Sequence, residues 1–343
     1  MCGGFSLRYK VQICAAGGDS RRDDSRGGGE HPDLRRRYGA EELLGDRMKR
    51  IGILPNLTKP EAGEVALRTA RWLLRHDAIP LLPDELLSKW EIEESIFLLP
   101  TDRIALESEA LIALGGDGTI LNLVRLPEFD KVPILAVNLG GLGFMTEIKR
   151  DEIEEALEDL MSGRFGLDER MLLRVEIVEG DEIIFSSLVL NEVVVKGFAK
   201  MINLDAFIDG EHLATYPADG LIVATPSGST AYSLSAGGPI LHPNLDAILL
   251  CPICPHALTI RPFVAKPDSV ITVYLLSRGE SASVIVDGRE THRFEPHSSV
   301  RIYKSDKRLK LIRSARRGYY EVLRSKLKWG ERAGGSKERF GGE

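Results

Sequence analysis

The sequence predicts an α/β half followed by a mostly β half, and three observations carry that prediction. Apolar strand-length runs alternate with amphipathic helical runs from Met48 to Gly163, which implies a parallel sheet with helices on its faces. Beyond residue 165 the pattern changes to Val- and Ile-rich runs separated by turn signals, the mark of an all-β unit such as a sandwich. Composition allows both: 343 residues, 43% hydrophobic and 28% charged, suit about two domains with a sizeable core.

Residues 1–47 stand apart. "GGDSRRDDSRGGGEHPDLRRR" is rich in glycine and mixed charge and cannot bury enough surface to offset its chain entropy. It is expected to be a disordered tail or a misassigned extension, with Met48 as the natural start. The interleaved acids Asp19, Asp23, Asp24 and Glu30 argue against a nucleic-acid arm. A net charge of −6 gives no pull toward nucleic acid or a membrane surface. No apolar stretch reaches the ~18 residues a membrane span needs. Four cysteines in this length make no disulfide framework, which points to a reducing, cytoplasmic setting.

From Met48 the elements follow in order. Arg50–Leu54 ("RIGIL") is a short buried strand. Lys59–His76 is a helix, with Ala62, Val65, Ala66, Thr69, Ala70 and Leu73 on one face. Ala110–Leu114 and Pro133–Leu139 are further apolar strands. Ile153, Ala156, Leu157, Leu160 and Met161 mark another helix, stopped at Gly163. The second half offers "MLLRVEIV", "EIIFSSLVLNEVVVK", "INLDAFID", "GLIVATP", "SVITVYLL" and "ASVIVDG" as strand-like runs. The expected division is 48–150, 151–304, a segment 305–330 returning to the first domain, and a flexible tail at 331–343.

Gly115-Gly116-Asp117-Gly118-Thr119 closes the second apolar strand. A glycine turn between a strand end and a helix is where open α/β sheets bind ligands. Its amides approach phosphate oxygens closely, so Gly115, Gly116, Gly118 and Thr119 are candidate phosphate ligands. A carboxylate there repels bare phosphate. It makes sense facing a hydroxyl or a metal ion, and amides for phosphates with an acid for the attacking oxygen suit phosphoryl transfer to an alcohol. The plain alternative is an Asp-Gly β-turn. No GxxxxGK[ST] and no complete GxGxxG occurs, which disfavours a P-loop protein and a dinucleotide-binding dehydrogenase. Asn138 to Phe144 ("NLGGLGF") brings a second glycine loop to the same sheet edge. Asn191-Glu192 interrupts an apolar run, and a polar pair there needs partners, such as ribose hydroxyls. Thr225 to Tyr232 ("TPSGSTAY") has the hydroxyls to wrap a nucleotide, with Tyr232 stacking on a base.

In their order and spacing these segments resemble the NAD kinase family. The resemblance rests on Gly115–Gly118, Asn138–Phe144, Asn191-Glu192, "DGLIVATPSGSTAYSLSAGGP" from Asp219, "PICPHALTIRPFV" and "VIVDG", and covers roughly Met48 to Gly330. It implies a Rossmann-like N-terminal domain and a C-terminal β-sandwich-like domain. It implies transfer of the γ-phosphate of ATP to the 2′-hydroxyl of the adenosine ribose of NAD, giving NADP. It further implies a divalent metal such as magnesium, and a homodimer or homotetramer with sites near subunit contacts. Asp117 matches the family's general base; holding the metal is its competing role. Asp117, Gly118, Asn138, Phe144, Asn191, Glu192, Lys200, Asp219, Thr230, Ala231, Tyr232, Ser233, Leu234 and Ser235 match positions of its NAD pocket. Ser227, Pro217 and Arg289 depart from the usual residues, Arg289 standing where Gln is common.

A carboxylate is a far weaker base than a sugar alkoxide. Asp117 is therefore expected to orient the hydroxyl and take its proton late. Two other classes compete: a lipid or sugar kinase sharing GGDG, and a non-catalytic NAD(P)-binding protein or oxidoreductase. Cys251-Pro252-Ile253-Cys254 with His256 has zinc-like spacing but lacks a second ligand pair, so free thiols are expected.

Overall fold

The computed structural model describes residues 49–92, 95–198, 200–276, 282–313 and 318–329. The expectations for residues 1–47 and 331–343 lie outside these.

The first half runs β1 (Lys49–Pro55), α1 (Pro60–Leu74), β2 (Ala78–Pro83), β3 (Phe97–Leu99), α2 (Thr101–Glu107), β4 (Ala110–Gly115), α3 (Asp117–Leu123), β5 (Ile134–Asn138), β6 (Ile148–Lys149) and α4 (Ile153–Met161). Its strands lie parallel in the order β3-β2-β1-β4-β5. Every residue of β2, β4 and β5 is buried, as expected of parallel strands covered on both faces. One cluster of apolar side chains includes Ile53, Val65, Leu73, Leu157 and Leu160; another includes Leu54, Leu111, Ile120 and Phe129. The apolar face read for α1 is the face it buries, and Pro60 opens the helix, where a missing N–H costs nothing.

The second half runs β7 (Gly166–Glu179), β8 (Glu182–Val189), β9 (Glu192–Gly197), β10 (Ile202–Ile208), β11 (Glu211–Ala218), β12 (Gly220–Ala224), α5 (Tyr232–Ser235), β13 (Ile248–Ile253), β14 (Phe263–Ala265), β15 (Ile271–Leu275), β16 (Ala282–Val286), β17 (Glu290–Phe294), β18 (Ser298–Arg313) and α6 (Tyr319–Leu327). Strands β14-β13-β12-β9-β16-β17 form a separate antiparallel sheet. It faces β10, β15 and the first part of β18 across a core of Val, Ile and Leu. This is the expected β-sandwich-like unit.

The 16-residue strand β18 joins the halves. Its first part pairs with β15, its far end meets β5 at Leu311–Ile134, and β7 runs antiparallel beside it. One sheet therefore continues from the first domain into the second. The expected boundary at 304/305 falls inside this strand. The one at 150/151 falls just before α4, whose Leu157 and Leu160 pack with Ile53 and Val65 of the first domain. "EIIFSSLVLNEVVVK" is two strands rather than one: β8 pairs with β7, while β9 lies in the other sheet between β12 and β16. Asn191-Glu192 marks the corner. Among the described residues no helix is long and apolar enough to cross a membrane.

Candidate functional site

Parallel pairing sets Gly115, the last residue of β4, beside Asn138, the last of β5. The two glycine loops therefore leave the sheet at the same edge, as strand C-termini do in open α/β sheets. Asp117 opens α3 and reaches across to the second loop. Its Oδ2 accepts the Phe144 N–H at 2.8 Å. Its Oδ1 accepts the N–H groups of Met145 and Thr146, each at 3.1 Å, and the Thr146 hydroxyl at 3.0 Å. A carboxylate has about four acceptor positions, so Oδ1 is saturated and Oδ2 retains capacity. Gly143 is required for this approach: a Cβ there would lie 2.1 Å from Asp117 Oδ1. Gly115 is packed equally closely against Thr119, whereas Gly116 faces open space.

Asn138 is committed to the same loop. Its Nδ2 donates to Gly141 O and Thr146 Oγ1, both at 2.8 Å, and its Oδ1 accepts the Gly140 N–H at 2.6 Å. The Phe144 ring is half-buried, with Lys326 Nζ of α6 5.8 Å from its centroid.

The second half contributes a different acid. Glu192 is 6% exposed. Burial raises its carboxyl to about 8, and the neighbouring Asp287 adds to the rise. One of its oxygens has no hydrogen-bond partner among the described residues. Asp287 holds the corner itself, accepting the N–H groups of Leu190, Asn191 and Glu192 at 3.0, 2.8 and 3.1 Å. The Thr225–Tyr232 turn packs on this corner. The Thr225 N–H donates to Asn191 O at 2.9 Å, and the Thr225 hydroxyl donates to Leu190 O at 2.6 Å. Gly228 comes so near that a Cβ would sit 2.1 Å from Asn191 O. The hydroxyls of Ser229 and Thr230 also bond within the turn or to its exit. Much of the hydroxyl density thus shapes the turn itself. Tyr232 is 40% exposed at its end, while Ser233 is buried, Leu234 half-buried and Ser235 exposed.

Two of the links between the halves lie at the site. At the β16–β17 turn, Arg289 donates from Nη2 to Gly118 O at 2.6 Å and from Nη1 to Asn122 Oδ1 at 2.5 Å. Deeper in, Asp168 and Arg170 are both 2% exposed. Arg170 donates to Asp168 Oδ2 from Nε and Nη2 at 3.0 and 2.7 Å, and from Nη1 to Ser227 Oγ at 3.1 Å. Arg313 lies 3.4 Å from the same Asp168 oxygen and donates to Glu147 at 3.0 Å. Glu147 directly follows Thr146, so the chain of contacts runs from the loop held by Asp117 to the Thr225–Tyr232 turn.

Lys200 and Asp219 lie elsewhere. Both are exposed, beyond the Lys196–Gly220 pairing, whereas Glu192 pairs with Ala224. Four residues of strand separate those two pairings, roughly 13 Å. Sequence reasoning missed Asp287, Thr146, Asp168, Arg170 and Arg313. Asp287 carried one signal, an acid inside the quoted "VIVDG". Cys251 is buried and its thiol is raised by that burial, and Cys254 is exposed. Among the described residues no group of three or more His, Cys, Asp or Glu is placed to hold a metal ion. Asp117 Oδ2, which accepts only the Phe144 N–H, is the carboxylate oxygen here with a position left for a hydroxyl or a metal ion.

Comparison with known proteins agrees with this geometry. The ATP-NAD kinase N-terminal domain family matches residues 51–165 and the ATP-NAD kinase C-terminal domain family matches residues 190–314. An NAD kinase of Geotalea daltonii is 42% identical over 287 residues, covering 83% of this chain and 100% of the relative. One of Geobacter sulfurreducens is 43% identical over 287 residues with the same coverage. A yeast NADH kinase solved with NADH superposes with a TM-score of 0.77 at 25% identity, over 84% of this chain and 90% of that one. An NAD kinase from Archaeoglobus fulgidus solved with ATP gives a TM-score of 0.62 at 25% identity, over 81% of this chain and 98% of that one. The chain belongs to the NAD kinase family.

Proposed function

We propose that this member of the NAD kinase family transfers the γ-phosphoryl group of ATP to the 2′-hydroxyl of the adenosine ribose of NAD, giving NADP and ADP. The observation that carries the reading is the Asp117 carboxylate. Three amides and a hydroxyl hold it at the joint edge of the two glycine loops, with acceptor capacity left on Oδ2. NADH in the yeast relative and ATP in the archaeal one support the two substrates.

In this reading the 2′-hydroxyl donates to Asp117, which fixes the attacking oxygen in line with the γ-phosphorus. The O–P bond forms as the bond to ADP breaks, and the proton passes to Asp117 late, since a loose transition state needs little early deprotonation. Gly115, Gly116, Gly118 and Thr119 line the phosphate path. Gly118, Phe144, Asn191, Glu192 and the Thr230–Ser235 segment line the NAD pocket, with Tyr232 stacking on a base. Glu192, protonated at neutral pH by its burial, donates to a ribose hydroxyl. Asn138 acts through the loop it holds. Lys200 and Asp219, at the far end of β9 and β12, serve a partner's site in a homodimer or homotetramer. Magnesium held by the phosphates would supply charge neutralisation. The setting is cytoplasmic.

Incubation with ATP, magnesium and NAD tests the proposal. NADP and ADP are expected in equal amounts. Unchanged NAD with ATP consumed on a lipid or sugar would make the chain a different GGDG kinase. Nucleotide binding without ATP consumption would make it a binding protein.

A further inference from the structure

The sequence lacks a P-loop lysine, yet a triphosphate donor needs cationic neutralisation at its β- and γ-phosphates. The structure offers a cation where the sequence pattern shows none. Strand β1 lies beside β4, with Pro55 opposite Leu114. The turn after it is fixed: the Asn56 N–H donates to Leu114 O at 2.8 Å, and the Lys59 N–H donates to Asn56 O at 2.9 Å. Asn56 Oδ1 accepts the Thr58 N–H and hydroxyl at 3.1 and 2.7 Å.

From this turn Lys59 crosses the end of β4. Its Nζ lies 3.5 Å from Gly115 O and would lie 3.3 Å from a Cβ at Gly140. It thus stands at the meeting of the two glycine loops. The side chain is half-buried, and among the described residues it forms no ion pair. Asp117, at the start of α3, bonds residues 144–146 and forms no ion pair with Lys59 among the described residues. With only a long contact to a carbonyl, the Lys59 ammonium has donor positions left for an anion. A lysine ammonium is a compact point charge well suited to phosphate.

We infer that Lys59 binds the polyphosphate of the phosphoryl donor, reaching over Gly115 to the gap between the two glycine loops. The inference rests on the kinase reading for its choice of ligand. A pyrophosphate occurs in NAD as well, and the donor is favoured because Lys59 lies on the first-domain side, among the loops that line the phosphate path, rather than at the Glu192 corner.

K59M and K59R separate the outcomes. K59M is expected to raise the KM for ATP about tenfold or more, the effect of losing one charge-assisted contact, while the KM for NAD stays within about twofold. K59R is expected to retain most of the ATP affinity. Calorimetric titration with inorganic tripolyphosphate gives a second readout that needs no turnover: the wild-type chain binds it and K59M binds it at least about tenfold more weakly. Thermal melting of K59M checks folding. An unchanged KM for ATP, equal tripolyphosphate affinity in both chains, or a rise confined to the KM for NAD would each overturn the inference. If the wild-type chain made no NADP yet bound tripolyphosphate through Lys59, the kinase reading alone would fail.

Discussion

Asp117 and Glu192 are two carboxylates of one candidate site in opposite surroundings. Asp117 is half-buried and receives four hydrogen bonds. Glu192 is buried, faces a second carboxylate, and leaves one oxygen without a partner among the described residues. The first presents Oδ2, with acceptor capacity left, to an incoming hydroxyl. The second is held protonated at neutral pH and can donate. Acids whose environments differ in this way take different roles in one site.

The largest break in this contrast is D117N. The change removes the proton acceptor and replaces one carboxylate oxygen by an NH2 that cannot accept from the N–H donors around it. NADP formation is expected to fall about 10²–10⁴-fold, the usual worth of a positioned base. Because Asp117 also holds residues 144–146, amide exchange there should quicken, and NAD affinity should weaken only modestly. Calorimetry and hydrogen exchange on the same preparation check both effects.

The link between the two regions is next. Replacing Arg170 by Met leaves Asp168 buried without its main partner, at a cost of about 3–5 kcal/mol. D168L/R170M removes both charges and should recover most of that stability, because a buried ion pair is often no better than apolar packing. The double variant should still show a raised KM for NAD, since Ser227 has lost the guanidinium that fixes its turn. Denaturant titration and steady-state kinetics of both variants decide this. A double variant as unstable as R170M would place the fault in packing.

Glu192 sharpens the contrast through pH. Its folded value of about 8 stands above the ordinary 4.5, so between those limits the folded chain binds more protons than the unfolded one. This carboxyl therefore lowers stability as pH rises from about 4.5 to about 8 and changes nothing further above that. E192Q should abolish that slope and be the more stable protein near pH 8. The KM for NAD should rise above pH 8 in the wild type and stay flat in E192Q. Melting temperatures and KM measured across pH 5–9 test the pair.

The smallest effect is expected for C251S/C254S. Cys251 fills a buried position near Ser233, so a modest loss of stability and full activity should follow. Stoichiometric zinc lost with the double change would reverse this reading.

The sequence disclosed what its spacing encodes. Asp117 was legible because three glycines and a strand end surround it, and α1 because its apolar residues recur every three to four positions. Contacts between distant segments left no periodic trace. The corner at Asn191-Glu192 was hidden because β8 and β9 are both Val- and Ile-rich, so a change of sheet looked like one strand. Asp287 binds residues 95 to 97 positions earlier. Arg170 meets Ser227 across 57. The hydroxyls of Thr225–Thr230 were seen, but that several bond within their own turn depends on its three-dimensional path.

The central claim is that phosphoryl transfer at this site ends on the 2′-oxygen of the adenosine ribose. It is tested most directly by offering the protein NAD and its analogue lacking that hydroxyl, each with ATP and magnesium, and following nucleotide products. NAD should become NADP. The analogue should bind with comparable affinity and remain unphosphorylated. A phosphorylated product from the analogue, or no product from NAD, would contradict the account.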